Sequence, residues 1–208
     1  MSDLHTRLAA RTQRLFHRHG VSYDRFSRVV AGRVYARIAA DVVDRLDGER
    51  PGRLVDLGCG PGRLTLALAG RLPGAEVEGL DIAADMIHRA RHNAAEAGHP
   101  DRPRFTVGDV ADLPYRAGSV DVVVSSFSAH HWPDVGAALA EIGRVLRPGG
   151  RGWIYDVGPL PQTRHLYAAA EARFGSGAVA RSVLPGGRLG FSLVVGIAIE
   201  PGEHQGAA

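Results

Sequence analysis

Three glycines at alternate positions follow a short apolar run that contains Asp56: Gly58, Gly60 and Gly62. A helical pattern begins directly after them at Leu64. Glycine permits positive φ angles and lets the backbone approach a ligand closely, while the free N–H groups at the start of a helix favour electron-rich atoms. The stretch therefore predicts a strand, a tight turn and a helix that bind a nucleotide-type ligand.

The spacing of these glycines discriminates between nucleotide ligands. A dinucleotide fingerprint needs glycines at the first, third and sixth positions, and the sixth position counted from Gly58 is Arg63. The spacing therefore argues against a nicotinamide-dependent oxidoreductase. Measured binding of a nicotinamide cofactor would support that hypothesis again. A second short apolar segment ends in Asp81, about twenty residues after the glycines, where an acid meets the ribose hydroxyls of a bound nucleotide.

The order of Asp56 and the three glycines resembles the first motif of the class I S-adenosylmethionine-dependent methyltransferases. Four further motifs follow in the order of that family. They are the acid at Asp81, the stretch Gly108–Tyr115, the stretch Ser119–Trp132, and the stretch Glu141–Gly150 with its final Pro-Gly-Gly. The resemblance covers about residues 50 to 157 and is strongest to the branch of ubiquinone-biosynthesis-type and other small-molecule methyltransferases.

This resemblance implies S-adenosyl-L-methionine as the cofactor. The glycine loop would hold its methionine half, Asp81 its ribose, and Asp109 its adenine amino group, with the Val110 N–H beside a ring nitrogen. Ile82 and Met86 would lie against adenine and ribose, with core packing as the open alternative. The expected cofactor-binding residues are Asp56, Gly58, Cys59, Gly60, Gly62, Asp81, Ile82, Met86, Gly108, Asp109, Val110 and Ser125.

Two adjacent histidines, His130 and His131, follow the predicted fourth strand at the carboxyl edge of the sheet, where ligands bind in such folds. They are the candidate catalytic residues, because a base assists transfer to a hydroxyl or an acidic carbon. We favour His131 slightly. The alternative is structural, with a histidine capping the helix that begins near Asp134. Further candidates to line the pocket stand in the N-terminal helices: His17, His19, Tyr23 and Tyr35.

The elements that must position these residues indicate an α/β fold. Five strands alternate with helices, as in a doubly wound, Rossmann-like sheet, and a C-terminal antiparallel hairpin brings the total to seven. The five are 53–57, 76–80, 104–107, 120–125 and 151–156. We expect one domain over residues 1–208, comprising two covering helices in 1–48, a cofactor-binding core in 49–157, a helix and hairpin in 158–200, and a tail in 201–208.

Composition narrows the function classes. With 208 residues and 45% hydrophobic content, the chain suits one domain with a real core. It shows neither a run long enough to span a membrane nor a secretory signal, so we expect a cytoplasmic protein. Cys59 is the only cysteine, which excludes an internal disulfide and a cysteine-based zinc cluster. We expect no metal site.

The partners we expect are small-molecule or lipid-like acceptors and no nucleic acid. Ser125–Ser128 stands where an Asn-Pro-Pro-Tyr motif would indicate adenine methylation in DNA. A basic helical face is either solvated or in peripheral contact with anionic lipid headgroups, and it consists of Arg7, Arg11, Arg14 and Arg18. The sequence leaves open whether the protein forms a homodimer. It also leaves open a non-catalytic regulatory protein that binds S-adenosylmethionine or S-adenosylhomocysteine. Turnover would distinguish an enzyme from such a regulatory protein.

Overall fold

The computed structural model describes residues 32–99, 101–158, 160–184 and 194–200. Its helices are α1 (Gly32–Arg45), α2 (Arg63–Arg71), α3 (Ala84–Glu96), α4 (Val135–Val145) and α5 (Pro161–Phe174). Its strands are β1 (Arg53–Leu57), β2 (Glu76–Asp81), β3 (Arg104–Val107), β4 (Val120–Ser126), β5 (Leu146–Val157), β6 (Val179–Val183) and β7 (Val194–Ile199). Short 3-10 turns cover Ala129–His131 and Ser176–Ala178.

One seven-stranded sheet joins these strands in the order β3-β2-β1-β4-β5-β7-β6. The first five strands of this order are parallel, whereas β7 runs antiparallel to both β5 and β6. The doubly wound sheet and the C-terminal antiparallel hairpin predicted from the sequence are thus confirmed. The order reverses between β1 and β4, and in an open sheet of this kind a ligand-binding crevice opens at the carboxyl ends of the strands at that point.

Apolar side chains cover both faces of the sheet, and β4 shows how. Val122 and Val124 belong to the apolar cluster that packs under α1 and α2, while Val123 belongs to the cluster under α4 and α5. Val120 belongs to the same cluster as Val123, at the point where the pairing register of β4 with β5 shifts. A strand buried on both faces explains the continuous β-branched run in the sequence.

The start of β5 differs from the prediction. The sequence indicated a strand over 151–156, after the Pro-Gly-Gly stretch, whereas β5 begins at Leu146, which pairs with Val120. The register shift between β4 and β5 accommodates the intervening residues within the strand. A Cβ on Gly150 would lie 2.9 Å from the Arg147 carbonyl oxygen, so glycine is required for this close approach.

Of the predicted N-terminal helices, the second is observed as α1. Its buried residues Ile38, Ala39 and Val42 pack in the cluster that contains Leu64 and Leu68 of α2. The first helix, with its row of arginines, and the tail over 201–208 lie outside the described residues. Within the described ranges, no helix is both long enough and apolar enough to cross a membrane.

Candidate functional site

The glycine loop between β1 and α2 adopts the conformation that its sequence predicted. Gly58, Gly60 and Gly62 have φ angles of 67°, 52° and 78°, a region that side chains rarely adopt. A Cβ on Gly58 would lie 1.8 Å from Ser128 Oγ, and one on Gly62 would lie 2.8 Å from the Phe105 ring. A Cβ on Gly60 would meet no described atom within 4 Å. Gly60 is therefore the glycine that faces open space.

Asp81, at the end of β2, ties the loop to the start of α3. Its Oδ2 accepts a hydrogen bond from the Gly60 N–H at 2.8 Å, and its Oδ1 accepts one from the Ala83 N–H at 2.9 Å. Burial raises the pKa of this carboxyl, and the two N–H donors oppose that rise. The backbone N–H groups of Gly58 and Cys59 donate to the Leu80 carbonyl, so the backbone of β2 also holds the loop in place.

Ile82 and Met86 lie beside this carboxylate at the start of α3. Both are half-buried, and neither belongs to an apolar cluster of the described residues. The core-facing side of α3 is formed instead by Ile87, Ala90 and Ala94. Ile82 and Met86 therefore leave a partly exposed apolar surface next to Asp81, outside the described apolar clusters.

The segment after β3 brings Asp109 to the same edge of the sheet. The Gly108 N–H donates to the Asp81 carbonyl oxygen at 3.0 Å, and a Cβ on Gly108 would lie 2.8 Å from a Leu80 methyl carbon. Asp109 Oδ1 accepts from the Ala111 N–H at 2.9 Å, which closes a turn. The Val110 side chain is buried in the core, so only its backbone could contact a ligand.

Three further predicted site residues have buried side chains in or next to the loop. Asp56 is completely buried and accepts from the Thr65 hydroxyl at 2.7 Å. Ser125 is equally buried and donates to the Leu57 carbonyl at 2.8 Å. The Cys59 side chain is also buried, and burial raises the pKa of its thiol. We assign these side chains to supporting the loop, because they present almost no surface to a ligand.

Burial also governs the ionisation of Asp56. It raises the pKa of the carboxyl to about 7, with a smaller contribution from nearby Asp81, while the Thr65 hydrogen bond opposes the rise. The Oδ1 atom of Asp56 has no hydrogen-bond partner among the described residues. An acid that is half protonated near neutral pH therefore lies directly under the glycine loop.

The two candidate catalytic histidines occupy different environments. His130 Nδ1 lies 2.7 Å from Asp156 Oδ1, and the His130 backbone N–H donates to Asp156 Oδ2 at 2.9 Å. The ring of His131 lies 3.9 Å from that of His130, centroid to centroid. Burial lowers the pKa of His131, with a further decrease from His130 and an opposing effect of Asp156. A carboxylate thus orients His130, the candidate that the sequence favoured slightly less than His131.

The structural alternative for these histidines, capping of the following helix, is wrong. The N-cap of α4 is Asp134, whose Oδ1 accepts from the Ala137 N–H at 2.8 Å. Asp is a preferred N-cap residue because its side-chain oxygen satisfies a free N–H of the first turn. Neither histidine is needed for that purpose.

Aromatic residues flank the two histidines in the chain, and the first of them, Phe127, contacts α1. Phe127, directly after β4, has a φ of 53°, and its N–H donates to the Tyr155 carbonyl at 2.8 Å. Tyr35 meets the Phe127 ring edge to face at a centroid distance of 5.8 Å. Trp132 Nε1 donates to Ser128 Oγ at 3.1 Å. His17, His19 and Tyr23 lie outside the described residues.

Sequence reasoning missed Asp156. This acid lies within the last residues of β5, next to the end of β4, where Ser126 pairs with Tyr155. A polar residue at the carboxyl end of an otherwise apolar strand is the one signal that could have indicated it. The site therefore draws on the carboxyl ends of all five parallel strands, β1 to β5.

Comparisons with known proteins agree with this geometry. Residues 55–154 match the family model described as "Methyltransferase domain". Demethylmenaquinone methyltransferase from Thermus thermophilus is 36% identical over 140 residues, which are 67% of this chain and 63% of that protein. Nocamycin O-methyltransferase from Saccharothrix syringae is 43% identical over 131 residues, which are 62% of this chain and 44% of that protein. The chain thus spans less than two thirds of the length of these relatives.

The fold has a similar relative among solved structures. A putative S-adenosyl-L-methionine-dependent methyltransferase from Methanococcus maripaludis superposes with a TM-score of 0.71 at 24% identity, covering 90% of this chain and 94% of that chain. Its likeness supports the fold alone. The matching family model, the similar relatives and the glycine loop held by Asp81 lead to one conclusion: residues 55–154 of this chain form a methyltransferase domain of the S-adenosylmethionine-dependent type.

Proposed function

We propose that this protein transfers a methyl group from S-adenosylmethionine to a small-molecule or lipid-like acceptor. The observation that carries the proposal is the loop around Gly60, which combines a positive φ, open space beside its Cα and an N–H bonded to the Asp81 carboxylate. Such a loop lets a ligand approach the backbone next to an acid that can accept from ribose hydroxyls.

The described residues fit this cofactor. Asp81 would accept from the ribose, Ile82 and Met86 offer an apolar surface for the adenine, and Asp109 stands at the same edge of the sheet. The ionised fraction of the buried Asp56 carboxyl adds negative potential under the loop, which favours a ligand with positive charge, whereas its protonated fraction does not. When bound, S-adenosylmethionine supplies a methyl carbon that is already electrophilic because it is attached to a sulfonium.

The chain's own contribution is then orientation and exclusion of water, which account for most of the acceleration in a direct displacement. An acceptor would lie at the ends of β4 and β5, near Phe127, Tyr35 and the two histidines. Aromatic walls suit an apolar small molecule. The names of the similar proteins from Thermus and Saccharothrix also refer to small-molecule acceptors.

The test is calorimetric binding of S-adenosylmethionine and S-adenosylhomocysteine, with NAD as a negative control. Gly60→Ala and Gly118→Ala form a matched pair, because both glycines have positive φ and neither Cβ would meet a described atom within 4 Å. Each substitution should cost a similar conformational strain of about 1 to 2 kcal/mol. Only Gly60→Ala should weaken binding of the sulfur ligands, by about tenfold or more, because its methyl group occupies the ligand's approach.

Two results would overturn the proposal. The first is absence of binding to both sulfur ligands, which would mean that the loop serves another ligand. If NAD bound instead, the oxidoreductase alternative would be supported. Binding without any transfer of labelled methyl groups to hydroxylated, carboxylated or amine acceptors would favour the regulatory alternative, because such a protein never forms S-adenosylhomocysteine.

A further inference from the structure

The segment 108–119, between β3 and β4, is fully described and contains no helix or strand, so other elements must hold it in place. It carries Asp109, the residue expected beside the adenine amino group. The Asp109 carbonyl accepts from the Asp112 N–H at 3.1 Å, and Asp109 Oδ1 accepts from the Ala111 N–H at 2.9 Å. The turn thus uses one carboxylate oxygen of Asp109, and the second is the one that a ligand could meet.

Both ends of this turn are tied to other parts of the fold. At one end, the Gly108 N–H donates to the Asp81 carbonyl of β2. At the other end, Leu113 directly follows the turn, is 3% exposed and belongs to the apolar cluster under α4 and α5. The backbone polar groups of Leu113 are therefore removed from water and need partners within the protein.

An ion pair on α4 supplies these partners. The Leu113 N–H donates to Glu141 Oε2 at 2.8 Å, and the Leu113 carbonyl accepts from Arg144 Nη2 at 3.0 Å. The same guanidinium donates to Glu141 from Nε at 2.7 Å and from Nη2 at 2.6 Å. Its Nη1 donates to the Tyr115 carbonyl at 2.8 Å. One turn of helix thus bonds both polar groups of Leu113 and one of Tyr115.

The residue types and their spacing suit this contact. Residues three apart lie on the same side of a helix, so Glu141 and Arg144 face the segment together. A guanidinium presents its N–H donors in a planar fork and here bonds one carboxylate and two carbonyls at once, a geometry that a lysine ammonium does not offer. The Arg144 hydrogen bond also lowers the pKa of Glu141, so the acceptor of the Leu113 N–H is ionised at neutral pH.

From these contacts we infer that Glu141 and Arg144 position the Asp109 carboxylate, so that the cofactor site distinguishes a 6-amino purine from a 6-oxo purine. The inference rests on the proposed function. An amino group donates to a carboxylate, whereas a carbonyl oxygen would face it as a second acceptor. Such discrimination is steep only when the carboxylate is held in place, because an acid that can turn away does not reject the wrong base.

The first test needs no ligand. Hydrogen exchange followed by NMR reports how strongly the bond to α4 protects the Leu113 N–H. Arg144→Gln should speed this exchange by about tenfold or more, because it removes charged hydrogen bonds that hold the segment.

Arg147→Gln is the matched control. Arg147 is about as exposed as Arg144 and also bonds a carboxylate, that of Asp121 at 2.6 Å, and a carbonyl, that of Pro148. None of these partners belongs to the segment 108–119, so exchange at Leu113 should stay at the wild-type rate. Equal exchange at Leu113 in both variants would overturn the inference.

The second test measures base selectivity by calorimetry. The ligands are S-adenosylhomocysteine and S-inosylhomocysteine, which carries a 6-oxo purine. The wild-type protein should bind the adenine ligand at least about tenfold more tightly, as one charged hydrogen bond allows. Arg144→Gln should lower this ratio by about three- to tenfold, chiefly through weaker S-adenosylhomocysteine binding, whereas Arg147→Gln should leave it unchanged. A merely structural role would lower the free energy of unfolding and leave the ratio of the two Kd values as it was.

Two conservative variants keep the test decisive if Arg144→Gln does not fold. Arg144→Lys retains the charge without the fork, and Glu141→Gln retains an acceptor for the Leu113 N–H. Each should show a ratio between those of the wild type and Arg144→Gln. A wild-type ratio in both, or no selectivity in the wild-type protein, would refute the positioning role. Absence of S-adenosylhomocysteine binding by the wild-type protein would instead reject the proposed function, which separates the two failures.

Discussion

Asp56 should make the stability of this protein depend on pH in a direction that is unusual for an aspartate. Its pKa is raised from 3.8 to about 7 in the folded protein, chiefly by complete burial. The folded state therefore holds this proton more tightly than the unfolded chain does. The contribution of Asp56 to the free energy of unfolding is fully present below pH 3.8 and is lost as pH rises through 7.

The size of the effect follows from the two pKa values. Between pH 5 and pH 8, linkage gives a decrease in the free energy of unfolding of roughly 2 to 3 kcal/mol from this one group. Asp56→Asn is uncharged over the whole range and can still accept from Thr65, so this decrease should vanish. The variant should gain that amount relative to the wild type on going from pH 5 to pH 8.

Urea unfolding of both proteins without ligand, at several pH values from 5 to 8, measures the difference. Histidines and the other acids titrate in both proteins, so their contributions cancel in the comparison. Asp101→Asn, at an exposed turn residue, is the matched control and should follow the wild-type curve. Parallel curves for the wild type and Asp56→Asn would show that the acid is ionised in the folded protein, and the reasoning from burial would fail.

Three further outcomes are expected. Asp81→Asn should weaken S-adenosylhomocysteine binding by about tenfold or more in calorimetry, because an amide cannot replace both accepting oxygens, whereas Asp101→Asn should bind normally. Arg144→Ala should lower the free energy of unfolding by about 1 to 3 kcal/mol in urea, since the guanidinium bonds carbonyls in the segment 113–115; an unchanged midpoint would contradict this. Buried Cys59 should react with iodoacetamide only on unfolding, and rapid labelling in native buffer would be the contrary result.

The features that depended on contiguous residues could be predicted from the sequence. The positive φ angles of the glycine loop follow from alternate glycines between an apolar run and a helical pattern. The β-branched run of β4 indicated a strand buried on both faces, and Asp81 was placed at the end of its strand. Each of these depends on local conformational preference or on the periodicity of apolar residues, which the order of residues already contains.

Tertiary structure decided which atoms meet across the sheet. His130 and Asp156 are 26 residues apart in the sequence, and they meet where β4 and β5 end side by side. Their contact therefore depends on the register of β4 with β5. The register of these two strands also shifts between Val120 and Val122, and this shift places the Pro-Gly-Gly stretch inside β5 instead of before it. Complete burial gave Asp56, which the sequence predicted among the cofactor-binding residues, a raised pKa. Distances and desolvation arise only when distant segments pack together, so no local pattern specifies them.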